Sequence, residues 1–432
     1  MIQEFLSTHN FNLIQILIAT IGYLMPIPLA YLAVYLWQNY RQDQFIAGIK
    51  WVLLEIQVPR DVIKTPAAME LIFSNAFYHK SGKGFWEEFM IGAPWLWFSL
   101  EIVSIDGKVH FYIRTPSRIR DLVETQIYAQ YPQAKVVEVE DYAFKIPQYK
   151  KDGDWNMWGC EFTKEKHDVQ TIRTYRQMEE MKSGTKEEFK VDPITPVIEY
   201  LGSLPKGQQV WIQIIVRQSI KKYRSNISGK NVNFDNYAEE HIRNVLKPFI
   251  RVHAKSGIGG MDATEIRPPG FLEDSIKLWL SNLKQIHFDC GIRMVTLADK
   301  KLHDIDSFNN LRRASRLVFR QYSQPYSNEL SRINSTQFDA PWSDPTGLAL
   351  TALKRRVLNF YRTRTFFHPP LQFSIKYPKV FSMFFPSGSP QIFVLSNEEL
   401  ATIFHFPGMV SEAPSFKRIE SKIAKPPSNL PI

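Results

Sequence analysis

A chain of 432 residues is too long for one ordinary hydrophobic core, and 44% hydrophobic with 22% charged residues excludes a disordered polymer. Its net charge of +10 suits an anionic lipid surface, a nucleic acid or an acidic protein without choosing among them. Two widely separated cysteines, Cys160 and Cys290, form no CxxC and read as buried thiols in a reducing compartment rather than a disulfide framework.

The chain opens with an external N-terminus, residues 1–10, whose only charged side chain is Glu4. No Asp, Glu, Lys or Arg lies between Phe5 and Tyr40. Within that stretch, residues 11–37 form an apolar segment predicted to be a single transmembrane helix. A helix of that length spans about 40 Å, against a hydrocarbon core of about 30 Å. Tyr31, Tyr35, Trp37 and Tyr40 suit an interfacial aromatic belt, and Arg41, Lys50 and Arg60 follow on that side. The positive-inside rule places the N-terminus outside and the bulk of the chain in the cytoplasm, at the inner membrane. The lack of a basic n-region and of a small-residue cleavage site argues against a signal peptide. Pro26 and Pro28 are expected to kink or unwind the span.

Residues 50–146 read as a first ferredoxin-like α+β domain. KWVLLEIQVP predicts a strand, and residues 65–77 a helix opened by Thr65 and Pro66. Residues 79–95 are a Gly- and aromatic-rich insertion. Strands over 96–105 and 108–116 flank Asp106-Gly107, the strongest short hairpin signal. A helix capped by Ser117 and stopped by Pro132, then a strand over 134–142, completes the order β-α-β-β-α-β. Gly82-Lys83 lacks both the upstream glycine and the hydroxyl residue of a Walker A loop.

Residues 155–340 read as a second, divergent α+β domain with insertions. WGCEFTKEK and VQTIRTYRQ are candidates to pair as strands. A helix over 194–204 leads through Lys206-Gly207 into the β-branched strand 208–218. Residues 221–234 are polar and loop-like, 237–250 and 271–288 have helical periodicity, and 290–298 read as a strand. A helix over 304–323 turns Phe308, Leu311, Leu317, Val318 and Phe319 inward. Its Arg312, Arg313, Arg316 and Arg320 make either a stripe for phosphates or a solvated face.

Residues 341–432 comprise a helix over 346–367 followed by an extended, Pro-rich tail. Lys354, Arg355, Arg356, Arg362 and Arg364, interleaved with Phe360, Tyr361, Phe366 and Phe367, are the candidate contact for a nucleic acid or an acidic surface. A segment lying on the bilayer explains the same composition. Ser396 and Glu399 form a capping-box pattern before a short helix.

Three blocks carry a resemblance to a known family. They are PWLWFSLEIVSIDGKVHFYIRTP with VETQIYAQYPQAKVVEVEDY, DPITPVIEYLGSLPKGQQVWIQIIVR, and LSNEELATIFHFPG with KPPSNLP. Together they resemble a poorly characterised bacterial membrane-anchored family, similar to the N-terminal, non-motor region of ATPases like those of type IV secretion and conjugative DNA transfer. The resemblance implies a membrane-tethered adaptor that docks a separately encoded ATPase. The sequence has no Walker A, HExxH, Cys/His cluster or G-x-S-x-G, so neither an enzyme nor a cofactor or metal is expected. A membrane-bound nucleic-acid binder and a membrane-associated enzyme with an unrecognised site are the alternatives. Self-association is open.

Overall fold

The computed structural model describes residues 22, 24–59, 64–78, 84, 86–180, 192–253, 263–266, 268–323, 328–338, 342, 344–368 and 391–407. They fall into two compact units. One takes Met1–Ile49, Ser81–Pro94 and His368–Phe381. The other takes Lys50–Lys80, Trp95–Phe367 and Ser382–Ile432.

In the smaller unit, helix α1 (Pro26–Gly48) packs beside a π-helical turn, Glu87–Ile91. Arg41 joins them by donating from Nε to the Met90 carbonyl at 2.9 Å. Gly92 closes the turn in the left-handed region at φ 73°, where a Cβ would meet the Arg41 backbone at 2.6 Å. Pro26 and Pro28 lie in the first turn of α1, where a missing N–H removes no intrahelical bond. Most of the expected membrane segment, residues 11–21 and 23, lies outside the described residues. Among the described residues, no helix is long and apolar enough to cross a membrane. The helix also runs on past Trp37, through the polar stretch 38–45, to Gly48.

The larger unit is mixed α+β, built on a nine-stranded, wholly antiparallel sheet. Its first half comprises β1 (Trp51–Gln57), α2 (Ala67–Ile72, continued by a π turn to Phe77), β2 (Trp97–Ile105), β3 (Lys108–Pro116), α3 (Arg120–Gln130) and β4 (Lys135–Glu138). These strands stand in the order β4-β1-β3-β2. The hairpin is set by Asp106 and Gly107, both left-handed at φ 56° and 77°, as a type I′ turn requires. Neither expected hydroxyl cap forms, since α2 and α3 start without a side-chain cap bond.

The second half comprises β5 (Trp155–Lys164), α4 (Tyr175–Glu180), α5 (Thr195–Gly202), β6 (Gln208–Gln218), β11 (His287–Asp299), α8 (Ile305–Ser315) and β12 (Leu330–Ile333). Its strand order, β12-β5-β11-β6, repeats the first in the corresponding positions. Each order is compatible with a ferredoxin-like unit. β2 and β6 join them edge to edge, from Trp97↔Arg217 to Ile105↔Gln209. Between β6 and β11 stands an insertion holding β7 (Tyr223–Arg224), β8 (Asn231–Val232), α6 (Phe234–Leu246), β9 (Ile250–His253), β10 (Ala263–Ile266) and α7 (Gly270–Leu283). Phe234, Ile242, Ile276 and Trp279 give this insertion its own apolar cluster.

Three expectations are corrected. Residues 169–174 do not pair with β5; they lead into α4. Leu317 is 56% exposed, because α8 ends at Ser315 and the chain turns before Val318 and Phe319 reach the core. The block around Ser396 is not part of an extended tail. Its strand β13 (Phe393–Ser396) pairs with His287–Cys290 of β11, and α10 (Asn397–Ile403) is buried along its whole length. The expected capping box of Ser396 and Glu399 is present. Residues 369–390 and 408–432 of the expected tail lie outside the described residues. Cys160 and Cys290 are both free and buried, as expected.

The main core lies on one face of the sheet, where α2, α3, α5, α8 and α10 pack on Ile56, Phe98, Leu100, Ile212 and Ile292. The other face is covered by α9 (Leu348–Thr363), which seats Val357, Leu358 and Tyr361 on Val103, Trp211, Val295 and Leu297. Two strand glycines allow that approach. A Cβ at Gly159 would meet Val357 at 2.8 Å, and one at Gly291 would meet the Phe366 ring at 2.2 Å. Gly291→Ala should therefore lower stability by about 1–3 kcal/mol through overpacking. The added change Phe366→Leu should recover part of that loss. Urea denaturation of the single and double variants measures both.

Candidate functional site, a cationic cavity between two helices

The basic helix over 348–363 is anchored at its C-terminal end by charge. Polar residues form one row across six strands: Glu55, Tyr112, Glu101, Gln213, Arg293 and Glu161 are in direct register. The Arg293 guanidinium donates to Glu161 at 2.7 Å and lies over Phe360 and Phe366. Gln213 donates to the Tyr361 carbonyl at 3.0 Å. Arg364 follows the helix in the left-handed region at φ 52° and reaches down to Glu101 with bonds of 2.9 and 3.1 Å. Its other edge engages Asp141. The side chains of Arg364 and Glu101 are both 0% exposed. Burial pushes the Glu101 carboxyl up, and the Arg364 charge with bonds from Arg364, Ser99 and Tyr142 more than offsets it, so the net shift is down.

Two of the five candidate contact residues are thereby withdrawn from the surface. Arg364 is locked in this ion pair. Arg362 is 9% exposed, donating to the Ala143 and Ile146 carbonyls and to Gln148. The aromatics expected to stack bases serve the interior as well. Tyr361 and Phe366 are buried, and Phe367 packs under Arg217 at 4.1 Å. Interleaved cations and rings pointed to a nucleic-acid surface; the same alternation seals a helix end onto a polar sheet row.

The remaining three occupy the N-terminal two-thirds of α9. Arg355 is exposed, with Nε on the Tyr149 carbonyl at 2.8 Å. Arg356 lies over Phe360. Lys354 lines a cavity of about 320 Å³ beside the N-terminal half of β5. α8 forms the facing wall, through Phe308, Asn309 and Arg312, and residues 336–338 close a third side. The structure thus brings together members of two basic sets that are separate in the sequence.

Charge is poorly balanced there. Arg312 and Arg316 both donate to the same neutral oxygen, Oε1 of Gln337, at 3.3 and 2.8 Å. The Nε of each is buried with no hydrogen-bond partner among the described residues. Lys354 contacts the Tyr149 hydroxyl at 3.3 Å and its ring at 4.8 Å. Burial, then the charges of Lys300 and Arg312, hold its ammonium down to about 8. Arg316 is lowered by burial and by Arg332 and Arg312. The acid in the wall, Asp344, is engaged by the α9 backbone, accepting from the Leu350 N–H at 2.7 Å.

Sequence reading missed Glu101, Glu161 and Gln337. For the first two a signal exists: each is a lone acid in an apolar strand run, LWFSLEIVSI and WGCEFT. Gln337 has no comparable signal. No family model matches the chain, and no curated protein matches it.

Two outcomes follow. Glu101→Ala leaves the Arg364 charge buried without its main partner and should cost about 3–5 kcal/mol in denaturant unfolding. Lys354 binds its proton more weakly folded than unfolded. Its burial therefore costs stability below about pH 8, and the cost fades as pH rises toward the ordinary lysine value. Lys354→Met should raise Tm at pH 7 and lose that advantage by pH 10, as paired thermal melts would show.

Proposed function

We propose that the chain is a non-enzymatic, membrane-tethered subunit of an assembly similar to those of type IV secretion and conjugative DNA transfer. In this reading it docks a separately encoded ATPase at the cytoplasmic face. The observation that carries the tether is the apolar surface at the start of the described chain. Leu24, Ile27, Leu29, Leu32 and Val34 are exposed, as are Tyr31, Tyr35 and Trp37. The part of α1 from Pro26 to Trp37 is apolar all round, a surface that is costly in water and comfortable in hydrocarbon. The charge-free stretch from Phe5 to Tyr40 and the aromatic cluster before Arg41 support the same placement.

The larger unit is then the docking body. We read it as two ferredoxin-like units fused through β2 and β6, the second carrying the insertion between β6 and β11. Tethering raises the effective concentration of partners held at one membrane surface. A second reading, a membrane-bound nucleic-acid binder, draws on the exposed Arg313, Arg320 and Arg355.

The test is fractionation of cells expressing the full chain. The protein should pellet with membranes, resist alkaline carbonate, require detergent for release and co-purify with a motor ATPase. Deleting residues 1–40 should move it to the supernatant. Release of the full chain by carbonate alone would overturn the tether, and a detergent extract free of any ATPase would overturn the docking role.

A further inference from the structure

Four other buried cations among the described residues face a carboxylate, and a fifth, Arg362, has both terminal nitrogens and its Nε taken by the Ala143 and Ile146 carbonyls and Gln148. Arg364 has Glu101, Arg293 has Glu161, Lys164 has Glu399 and Arg217 has Asp289. The group around Gln337 has neither a carboxylate nor a full set of bonds. Arg312, Arg316 and Lys354 have only neutral partners among the described residues, and two buried Nε groups have none. Placing a partly desolvated cation without an anion costs free energy that a bound anion would return. The fork geometry of arginine, with lysine as a point charge, suits phosphate oxygens.

The cavity is larger than such an anion needs. At about 320 Å³ it stands at the lower end of small-ligand sites. Phe308 and Phe338 supply apolar wall, and Asn156 and Asn309 supply amides able both to donate and to accept. We propose that this cavity binds a small phosphorylated molecule of mononucleotide size, with Arg312 and Lys354 holding the phosphate and the aromatic wall holding the organic part. Asp344, kept ionised by backbone N–H groups at the start of α9, sets one negative charge in the wall against the two cations Arg312 and Lys354, which leaves the lining net positive. The site is independent of the membrane tether.

The experiment is calorimetric titration of the full chain in detergent at pH 7 with AMP, inorganic phosphate and a single-stranded oligothymidylate. AMP should bind at one saturable site, and inorganic phosphate should bind more weakly and compete with it. Lys354→Gln and Arg312→Gln should each weaken AMP binding about tenfold or more, the loss of one charge-assisted contact. Arg313→Gln, an exposed neighbour, should leave it unchanged. Lys354→Gln removes a destabilising charge, so it keeps the test valid if Arg312→Gln fails to fold. AMP affinity unchanged by Lys354→Gln would overturn the proposal. Equal affinity for phosphate and AMP would reduce the site to one for a bare anion and overturn the organic part. Binding of the oligothymidylate with none of AMP would replace the proposal with an extended nucleic-acid surface.

Discussion

The larger unit depends on a line of polar side chains that crosses its sheet from β1 to β5. In an antiparallel sheet, residues in register on one face are neighbours, so Glu101, Gln213, Arg293 and Glu161 stand side by side. Left open, such a row would keep that face wet. Here it is covered by the end of α9 and the residues just after it, which bond Gln213 through the Tyr361 carbonyl, Arg293 through the Thr365 carbonyl and Glu101 through Arg364. Apolar contacts alone would let a helix slide on a sheet. The buried Glu101 and the half-buried Asp141 gripping Arg364 allow one position, because any shift strands a charge in a low-dielectric interior.

The same constraint ties the two halves of the sheet to each other. Glu101 belongs to β2 and Gln213 to β6, the strands at the join, and a third segment far along the chain bonds both, Glu101 through Arg364 and Gln213 through the Tyr361 carbonyl. Tyr142, in the connection between the halves, bonds both Glu101 and Tyr361. Each half repeats one strand order, yet the interior bonding belongs to neither alone. The C-terminal block is drawn in likewise: Lys164 of β5 pairs with Glu399 of α10, and both side chains are fully buried. Residues as distant as 101, 164, 364 and 399 thus belong to one cooperative body.

How much of this was legible follows from which signals are local. Strand periods and the Asp106-Gly107 turn depend on neighbours in sequence, and the strands read over 50–59, 96–105, 108–116, 208–218 and 290–298 lie where expected, while the candidate over 169–177 does not form. The capping box of Ser396 and Glu399 is equally local and equally visible. The destination of a charge is not local. Arg362 and Arg364 share their composition with surface arginines, and only the fold brings Asp141, Glu101 and the 143–146 carbonyls to them. β12 escaped notice because four residues, Leu330–Ile333, carry too little pattern, and it is recognised only through its pairing with β5. The cavity was illegible for the same reason: α8 and α9 lie on opposite faces of the sheet and meet only beside the start of β5.

One helix therefore carries opposite electrostatic conditions at its two ends. Beyond the C-terminus of α9, Arg364 is surrounded by acids and held well above the ordinary arginine range, its own burial outweighed by Glu101. Nearer the N-terminus, Lys354 is half-buried among like charges and held down. These conditions are connected through rigidity. A lysine on a loosely packed helix would relieve its repulsion by moving into water, as exposed lysines do. With Val357, Leu358, Tyr361 and Arg364 fixed to the sheet, α9 cannot roll to release it. The bonding at one end thus preserves the charge imbalance at the other, and a site that keeps its cations in place before a ligand arrives loses less free energy in binding one.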